Sequence, residues 1–467
     1  MNDARHPFDR LAAHLAAPVD ASGLAAFRFL YGALVALGSA RFLDSGWPEK
    51  LYGAPSFFFR FALFEWIPPV DAASARVCYV AFIVLGIGIA VGLWHRLCAA
   101  AFVVLFSWVQ LTDVTNYLNH YWLVILLGAL LAIVPASETG SVDAARAGRR
   151  HGTVPRAAVV VLRAQVAFVY IFAAVAKVGP DWLAYGQPLG LWLPPRSSLP
   201  LIGPLLVVPW VSLVLSWCGF LYDATIVPLL LWRRSRVVAY ALVVVFHGLT
   251  RAFFEIGMFP FIMMVATTLF FSPSWPRDLL RRRSGEHVGE PALDRSSSKL
   301  FDRAIAVLVI AFVALQLALP LRTFVLSDNV LWDETGMRWS WRVMVREKSG
   351  SLSYRASFLD GDARRTVFVS PHDWLTWRQA NEMIGQPDLI LQLAHAIRDQ
   401  LEGRGYSDVQ VRADCTISLN GRPAALFIDP NVDLAKESGC LWCRPTWVMP
   451  APTSSPPSPW RSLGSSP

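Results

Sequence analysis

The stretch AAVVVLRAQVAFVYIFAAVAKV, residues 157–178, decides the fold of this chain. A run of about 20 apolar residues is long enough to cross the hydrocarbon core of a bilayer as a helix. The run ends at Lys177, one of only five lysines in a chain with 37 arginines, and the segment GPDW (179–182) follows it. An ammonium group beside hydrocarbon is costly unless it is paired or hydrated. The stretch therefore predicts a membrane span and makes Lys177 the first residue to explain.

Lys177 has two interpretations. A lysine at the end of a span can extend its ammonium group to the lipid headgroups, which requires no function. Alternatively, burial lowers the pKa of a lysine, and a lysine that loses its proton near neutral pH can act as a base, which an arginine cannot do. The residue alone leaves both interpretations open.

The composition is that of a membrane protein. Hydrophobic residues make up 54% of the chain and charged residues 16%, and the mean hydropathy is +0.42. Because soluble proteins carry about 25% charged residues, a polytopic α-helical membrane protein is indicated. The net charge of +8 does not indicate nucleic acid, since the basic residues cluster in short loops between apolar runs, where they orient a membrane protein.

Nine apolar runs are candidates for transmembrane helices. They are 24–42, 75–93, 97–112, 117–135, 157–178, 205–232, 237–250, 260–272 and 304–320. With the N-terminus inside, the inner loops carry 15 basic residues and the outer loops only 4. Because basic residues accumulate in inner loops, we expect the N-terminus inside, the C-terminus outside and an odd number of spans.

From about Ser327 the composition becomes that of a soluble domain, which we expect to be α+β, rich in strands and external. Its predicted elements are a strand at 339–348, two strands in 353–370 joined at an Asp-Gly turn, a helix at 387–402, and strands at 408–419 and 422–429 joined by Asn-Gly. The predicted domains are an inner segment at 1–23, a membrane domain at 24–320, the external domain at 327–445 and a disordered Pro/Ser-rich tail at 446–467.

Polar residues in and beside the predicted spans fall on one side of the membrane. The outer ends of the spans carry Asn119, His120, Tyr121, Lys177, His247 and the segment 255–260, with Asp181 and Trp182 just outside. Since the charge asymmetry places all of them at one face, a shared pocket is the simplest account. It would hold a lysine, two histidines and one or two carboxylates among aromatic rings.

Each of these residues also has a structural interpretation. The two histidines can bond backbone carbonyls at the interface, Asp181 can cap a loop, and Glu255 can be an exposed loop acid. Asp223 and Arg163, inside spans, are interpreted as a structural polar pair or as loop-facing groups. No HExxH motif or Cys/His ligand pair is present, so no metal site is predicted, and the lone pair Cys440 and Cys443 indicates a disulfide or no role.

Several segments of the chain, in order, resemble the vitamin K-dependent gamma-glutamyl carboxylase family. They are NHYWLVILLGALLAIVPAS (119–137), LRAQVAFVYIFAAVAKVGPDWL (162–183), FHGLTRAFFEIGMFP (246–260) and LNGRPAALFIDPNVDLA (419–435). The resemblance implies an HTTM-type membrane domain followed by an external carboxylase-like domain. It extends over both predicted domains, from about residue 20 to residue 436.

The resemblance also implies an activity and the residues that carry it. Enzymes of the family oxidise reduced vitamin K, a phylloquinone or menaquinone hydroquinone, with dioxygen to the 2,3-epoxide, and the basic intermediate removes a γ-proton from glutamate so that carbon dioxide can add. By motif, Lys177 is the base and His120 assists the oxygen chemistry. The residues implied for quinone binding are Asn119, Tyr121, Asp181, Trp182, His247, Gly257, Met258 and Phe259. The implied partners are membrane lipid, quinone and an exported peptide or protein bearing glutamate.

One departure from the family keeps other functions open. Ala176 precedes Lys177, where the animal enzymes carry a second lysine. A quinone epoxidase without efficient carboxylation is therefore one alternative, and a non-catalytic quinone- or lipid-binding membrane protein is another. The richness in arginine and alanine is typical of a GC-rich genome, so we expect a bacterial plasma membrane with the C-terminal domain on its outer side.

Overall fold

The computed structural model describes residues 6–149, 151–284, 298–440 and 442–458. Within these residues, nine apolar helices form the membrane region. They are α1 (Ser22–Asp44), α2 (Ala72–Val91), α3 (His95–Gln110), α4 (Asn119–Ile133), α5 (Arg156–Lys177), α6 (Pro209–Leu231), α7 (Arg236–Phe253), α8 (Phe259–Thr267) and α9 (Lys299–Leu321). Local signals set their ends: the Asp71 carboxylate accepts the backbone N–H of Ser74 to begin α2, and Gly92, with φ +68°, ends it.

Of these nine helices in the described part of the chain, six are long and apolar enough to cross a membrane. The other three, α3, α4 and α8, have 16, 15 and 9 residues. At a rise of about 1.5 Å per residue, a helix of 15 residues falls short of a hydrocarbon core about 30 Å thick. The expected nine spans are thus six candidate spans and three shorter helices. The predicted runs 97–112, 117–135 and 260–272 counted apolar residues of turns beyond the helix ends.

The loops between the helices gather at two opposite ends of the helical region. At one end, strand β1 (Pro18–Asp20) pairs with β2 (Thr153–Pro155), and the Gly23 N–H donates to the Pro273 carbonyl over 2.7 Å. At the other end, the loops contact the C-terminal domain, as where Gln392 bonds both backbone groups of Arg60. These are the two sets of loops that the charge asymmetry separates.

The C-terminal domain is α+β, as expected, and contains a four-stranded antiparallel sheet. Its strands are β3 (Lys348–Asp360), β4 (Ala363–Val369), β5 (Ser407–Leu419) and β6 (Ala425–Leu426), in the order β4-β3-β5-β6. Two further helices, α10 (Trp377–Met383) and α11 (Pro387–Gly403), accompany it. The Tyr354 hydroxyl, buried under the sheet, donates to the Ile390 carbonyl of α11 over 2.8 Å, which fixes the helix against the strands.

Three predictions in this domain were wrong. Residues 339–347 form no strand, because Trp339, Trp341 and Met344 have positive φ and cannot join a ladder. The strand expected at 422–429 shortens to β6. The tail was expected to be disordered, but it packs on the domain as far as residue 458. Val448 of this tail forms an antiparallel β-bridge with Ile428. Residues 459–467 of that tail and residues 1–5 of the inner segment lie outside the described residues.

Helices α1 and α2 pack closely because two glycines meet in their interface. A Cβ atom added at Gly32 would lie 2.4 Å from the Ala90 backbone nitrogen, and one added at Gly86 would lie 2.8 Å from the Ala36 nitrogen. Small residues let membrane helices approach until their backbones touch. This contact fixes α1 and α2 against each other. Both helices carry buried aromatic residues, such as Tyr31 on α1 and Phe82 on α2.

The α1–α2 contact predicts opposite outcomes for two alanine substitutions on one helix. Gly32→Ala should destabilise the protein by roughly 1–3 kcal/mol, because the added methyl overlaps backbone that cannot yield. Gly38→Ala should be neutral, since its Cβ would lie 3.8 Å from the nearest atom, in the Met258 side chain. Thermal unfolding in detergent measures both. Equal unfolding temperatures for the two variants would contradict the close packing.

Candidate active site

Lys177, the last residue of α5, is buried and paired. Its Nζ donates to Oδ2 of Asp223 on α6 over 2.7 Å, and both side chains are under 10% exposed. The ammonium also lies 3.3 Å from the Ala173 carbonyl and 5.1 Å from the centre of the Trp182 ring. We call Lys177, Asp223 and Trp182 the lysine cluster. The interpretation of Lys177 as a residue reaching the headgroups is wrong, since its charge turns inward to another helix.

Asp223 is a site residue that the sequence interpretation missed. It was grouped with Arg163, but the Arg163 guanidinium donates to the carbonyls of Leu269 and Phe271 instead. A signal for the correct partner exists in the sequence. Asp223 is the only acidic residue of its apolar run, and a carboxylate inside a span must find a cation or a water-filled cavity.

A second polar group lies next to the lysine cluster. Tyr222 precedes Asp223 on α6, and its hydroxyl lies 3.4 Å from the hydroxyl of Tyr170. The Tyr170 hydroxyl in turn lies 3.1 Å from Nε2 of His247 on α7. The other ring nitrogen of His247, Nδ1, is buried without a hydrogen-bond partner within the described ranges. We call Tyr222, Tyr170 and His247 the tyrosine–histidine chain.

A large cavity, of about 1140 Å³, opens between the membrane helices and the C-terminal domain. Aromatic residues of α1 and α3 line its membrane side, among them Phe27, Tyr31, Phe102 and Phe106. Charged residues line its other side, at the C-terminal domain: Glu334, Arg338, Arg342, Arg346, Glu347, Lys348, Arg378 and Glu382. The cavity therefore has an apolar floor and a polar mouth.

The residues predicted for one pocket are divided between this cavity and its surroundings. The cavity is lined by Asn119, His120, Tyr121, Gly257, Met258 and Phe259, whereas Lys177, Asp181, Trp182 and His247 lie outside its wall. The ring of Phe259 lies between the two histidines, with its centre 6.0 Å from that of His120 and 5.9 Å from that of His247. The expected single pocket is thus two neighbouring parts with Phe259 between them.

The cavity wall at the start of α4 is set by local geometry. Asn119 accepts a hydrogen bond from the Tyr117 hydroxyl at 3.1 Å, and the Tyr121 ring packs edge-on against Phe106. Gly257 has φ +58°, and a Cβ there would lie 3.9 Å from Nε2 of His120. The positive φ lets the chain turn closely past the histidine.

Asp181 is engaged with the C-terminal domain. Its carboxylate accepts hydrogen bonds from both terminal nitrogens of Arg422, at 2.6 and 2.5 Å, and from Nδ2 of Asn420 at 2.8 Å. Glu255, the loop acid, pairs with Arg196 at 3.3 Å and is 85% exposed. The exposed-acid interpretation of Glu255 therefore agrees with the structure.

The mouth of the cavity contains charged groups that the sequence interpretation did not single out. Lys348 is buried and donates to Glu334 and to the carbonyls of Trp332 and Gly385, and burial lowers its pKa to about 8. Burial likewise lowers the pKa of Arg342 to about 10. The Arg342 guanidinium donates to Thr323 and has no carboxylate partner in the parts of the chain that the structure describes.

Two families of known proteins match this chain. The HTTM domain matches residues 16–275, and the lumenal domain of vitamin K-dependent gamma-carboxylase matches residues 301–454. The chain belongs to the vitamin K-dependent gamma-carboxylase family. No solved structure matches it. The resemblance stated from the sequence is confirmed, and the chain is a multi-pass membrane protein with a lumenal-type C-terminal domain.

For a member of the gamma-carboxylase family, the relevant features of this site are groups that can transfer protons and surfaces that can bind an apolar ligand. Among the described residues, no three His, Cys, Asp or Glu side chains lie close enough together to hold a metal ion. Cys440 and Cys443 form a disulfide with each other. Groups that could move protons beside the cavity include Lys177 and Asp223 of the lysine cluster and the members of the tyrosine–histidine chain.

The pairing of Lys177 in this gamma-carboxylase family member predicts a specific pattern of stability. Asp223→Leu leaves a buried ammonium without its carboxylate and should destabilise the protein by roughly 3–5 kcal/mol. The double substitution Lys177→Met with Asp223→Leu removes both charges and should recover most of that loss. Thermal unfolding in detergent provides the comparison. A double variant as unstable as Asp223→Leu would show that the pair itself is not the cause.

Proposed function

We propose that this chain is a membrane carboxylase that couples oxidation of reduced vitamin K, a phylloquinone or menaquinone hydroquinone, to carboxylation of glutamate in an exported peptide or protein. Dioxygen and carbon dioxide are the co-substrates of this chemistry. The observation that carries the proposal is the buried ion pair of Lys177 with Asp223, in a chain of the gamma-carboxylase family. A passive lipid-binding protein has no need of two charges buried among apolar helices, because burying them is costly.

The cavity supports the quinone part of the proposal. Ligand pockets of about 300–1,000 Å³ with mostly apolar walls hold drug-sized molecules, and this cavity of about 1140 Å³ has room for a naphthoquinone ring and part of a prenyl chain. Phe102 and Phe106 on its floor offer aromatic faces, and Asn119 and His120 offer polar groups near its mouth. Bound there, the reduced quinone would supply, with dioxygen, the strong base that removes the γ-proton of glutamate.

Lys177 serves as the base of the proposed reaction in concert with Asp223. A lysine accepts a proton only as the neutral amine, and the carboxylate 2.7 Å away can take up the ammonium proton. Trp182 covers the amine and limits access of water, which would compete for the proton. Tyr222, next to Asp223 on α6, is linked through the Tyr170 hydroxyl to the ring of His247. The His247 ring packs against Phe259 in the cavity wall. The tyrosine–histidine chain thus extends from the residue beside Asp223 to the wall of the cavity.

The polar mouth supports the glutamate part of the proposal. A carboxylate that enters from the C-terminal domain meets Arg342, a guanidinium without a carboxylate partner within the described ranges. Arginine is suited to bind a carboxylate because its planar donors match the two oxygens. With this domain on the outer side of a plasma membrane, an exported peptide reaches the mouth from outside, while a prenylated quinone reaches the floor from the bilayer.

Epoxidation without efficient carboxylation is the second candidate. Ala176 occupies the position before Lys177 and packs with Trp182 in an apolar cluster, so this chain has one amine where the animal enzymes have two adjacent ones. One lysine suffices to take a proton from a hydroquinone. Product analysis separates the two candidates.

Two products of one assay test the proposed function. The detergent-purified protein receives reduced menaquinone, dioxygen, labelled bicarbonate and a glutamyl peptide, and we expect both epoxide and peptide-bound label. Lys177→Ala should reduce epoxide formation at least about 10²-fold, as loss of a general base does, while Lys299→Ala, at the exposed start of α9, should not. Epoxide without label would favour the second candidate. Wild-type rates in Lys177→Ala would remove the proposed base.

A bulky residue in the cavity should weaken quinone use without changing the base. Val124→Trp, on α4 in the cavity wall, should raise the KM for the quinone by about tenfold or more, because a steric change worth 1.4 kcal/mol alters affinity by that factor. Val244→Trp places the same bulk on α7, at a residue that is 42% exposed, and should leave the KM unchanged. Similar KM values for both variants would place the quinone elsewhere.

A further inference from the structure

Asp181 joins the membrane region to the C-terminal domain through a buried ion pair. Its two carboxylate oxygens meet both terminal nitrogens of Arg422, and the two side chains are each 12% exposed. Two parallel hydrogen bonds between a guanidinium and a carboxylate fix the orientation of both groups. Asn420, fully buried, adds a third hydrogen bond to the same carboxylate. We call Asp181, Arg422 and Asn420 the interdomain clamp.

On the domain side, the clamp rests on a rigid turn. Asn420 and Gly421 both have positive φ, at +53° and +78°, which is the geometry of a tight hairpin turn. The Asn420 side chain also accepts the backbone N–H of Glu347 at 2.8 Å. Arg422 is fixed by a hydrogen bond from its Nε to the Ser454 carbonyl at 2.8 Å. The groups that meet Asp181 are therefore also held by contacts within their own domain.

On the membrane side, the clamp lies next to the lysine cluster. Asp181 belongs to a single helical turn, Pro180–Leu183, that follows Lys177 after two residues. The next residue, Trp182, donates from its indole nitrogen to the Ser216 carbonyl of α6 over 2.7 Å, and its ring lies 5.1 Å from Nζ of Lys177. The turn that Asp181 anchors thus places the ring that covers the lysine.

We propose that Asp181 is a positioning residue: by its ion pair with Arg422 it holds the Pro180–Leu183 turn so that Trp182 covers Lys177, and the C-terminal domain thereby keeps the amine shielded. The role of Lys177 as a base is that of the proposed function, on which the catalytic consequence rests. This role differs from the quinone contact that the motif implied for Asp181, because Asp181 lies outside the cavity wall. Its carboxylate has three donors from the C-terminal domain and lies outside the cavity wall.

The structure also suggests why an ion pair serves here. A bidentate Arg–carboxylate pair fixes distance and angle together, which a single neutral hydrogen bond does not. Removing one partner leaves the other charge buried and unpaired, so the turn would shift to let water reach it. A displacement of about 1 Å at a reacting group can lower a rate by about 10²-fold. Substitutions in the clamp should therefore change the exposure of Lys177 and leave the residues that line the cavity in place.

Chemical labelling of Lys177 tests the positioning directly and needs no activity. The purified protein is exposed to an amine-reactive acylating reagent, and labelling of Lys177 is followed by mass spectrometry. Asp181→Asn and Arg422→Gln should each raise the labelling rate at least about fivefold, because exposure of a shielded group follows the population of the opened state. The double variant pairs two amides without an unpaired charge and should recover part of the shielding.

A matched control isolates the clamp from loosening of the domain as a whole. Gln392→Ala removes the two hydrogen bonds that join α11 to the backbone of Arg60. This second interdomain contact shares no residue with the clamp or the lysine cluster, so its loss should leave the labelling rate unchanged. If Gln392→Ala raises labelling as much as Asp181→Asn does, the effect is general loosening and the proposal fails. Unchanged labelling in Asp181→Asn also overturns it.

Kinetics then separate positioning from quinone contact. In Asp181→Asn we expect kcat for epoxide formation to fall by about tenfold or more, with the KM for the quinone within about twofold, as for a residue that acts only on the reacting groups. A raised KM with unchanged kcat would make Asp181 a ligand contact and overturn the proposal. If Lys177→Ala retains epoxidation, the proposed role of Lys177 as the base fails, while the labelling result still decides whether Asp181 positions the lysine.

Discussion

The ion pair of Lys177 with Asp223 is the interaction on which the rest of the membrane region depends. Both groups are buried between α5 and α6, where an unpaired charge would be far costlier than a paired one. The pair therefore fixes the relative position of the two helices at one end of the membrane region. It also determines what may lie beside it: Trp182 and the backbone carbonyl of Ala173 complete the surroundings of the ammonium.

Around this pair, the two domains form one continuous structure. The cavity takes its floor from the membrane helices and its mouth from the C-terminal domain, so neither domain alone encloses it. The clamp at Asp181 joins the domains within five residues of Lys177. The Pro180–Leu183 turn, which carries Asp181, contacts the Asn420-Gly421 hairpin turn. Because contacts within its own domain already hold that hairpin turn, ordering it against Asp181 costs little conformational entropy. The C-terminal domain is in this way part of the site rather than an appendage to it.

The sequence was sufficient for the features that depend on local patterns. The apolar runs located the nine apolar helices of the described residues, and the Asp-Gly and Asn-Gly turns located the hairpins β3–β4 and β5–β6. It was not sufficient where tertiary contacts decide. The irregular backbone of Trp339 to Met344 occurs where this segment contacts the membrane region, since the Trp339 N–H donates to the Tyr117 hydroxyl. The tail packs on the domain through contacts such as the bond from the Trp332 indole nitrogen to the Met449 carbonyl. Neither contact leaves a periodic signal.

The same distinction holds for the candidate site. The motifs drew attention to Lys177, His120 and His247, because a polar residue in an apolar run is visible in one dimension. Asp223 was visible in the same way, as an acidic residue in an apolar run. To pair it with Lys177, however, one has to know that α6 packs on α5 with these two residues at the same level. Asp181 is a different case: its predicted quinone contact stays a prediction, and its interdomain contact was not predicted. Its place beside Trp182 suggested a ligand contact, whereas its partners come from a hairpin about 240 residues later in the chain; sequence proximity to the base indicated relevance but not role.

The lining of the cavity argues that the two proposed half-reactions take place in one cavity. A prenylated quinone partitions into the bilayer and would approach the aromatic floor, whereas a glutamyl peptide is polar and would approach the charged mouth. A base strong enough to remove a γ-proton from glutamate is lost to water unless it forms where the glutamate already lies. Such a reaction therefore needs one cavity in which an apolar floor is continuous with a polar mouth. It also needs the C-terminal domain, which supplies the mouth, to be held in place over the floor. The pairing of Asp181 with Arg422 holds the domain there, and the shielding of Lys177 depends on the same contact.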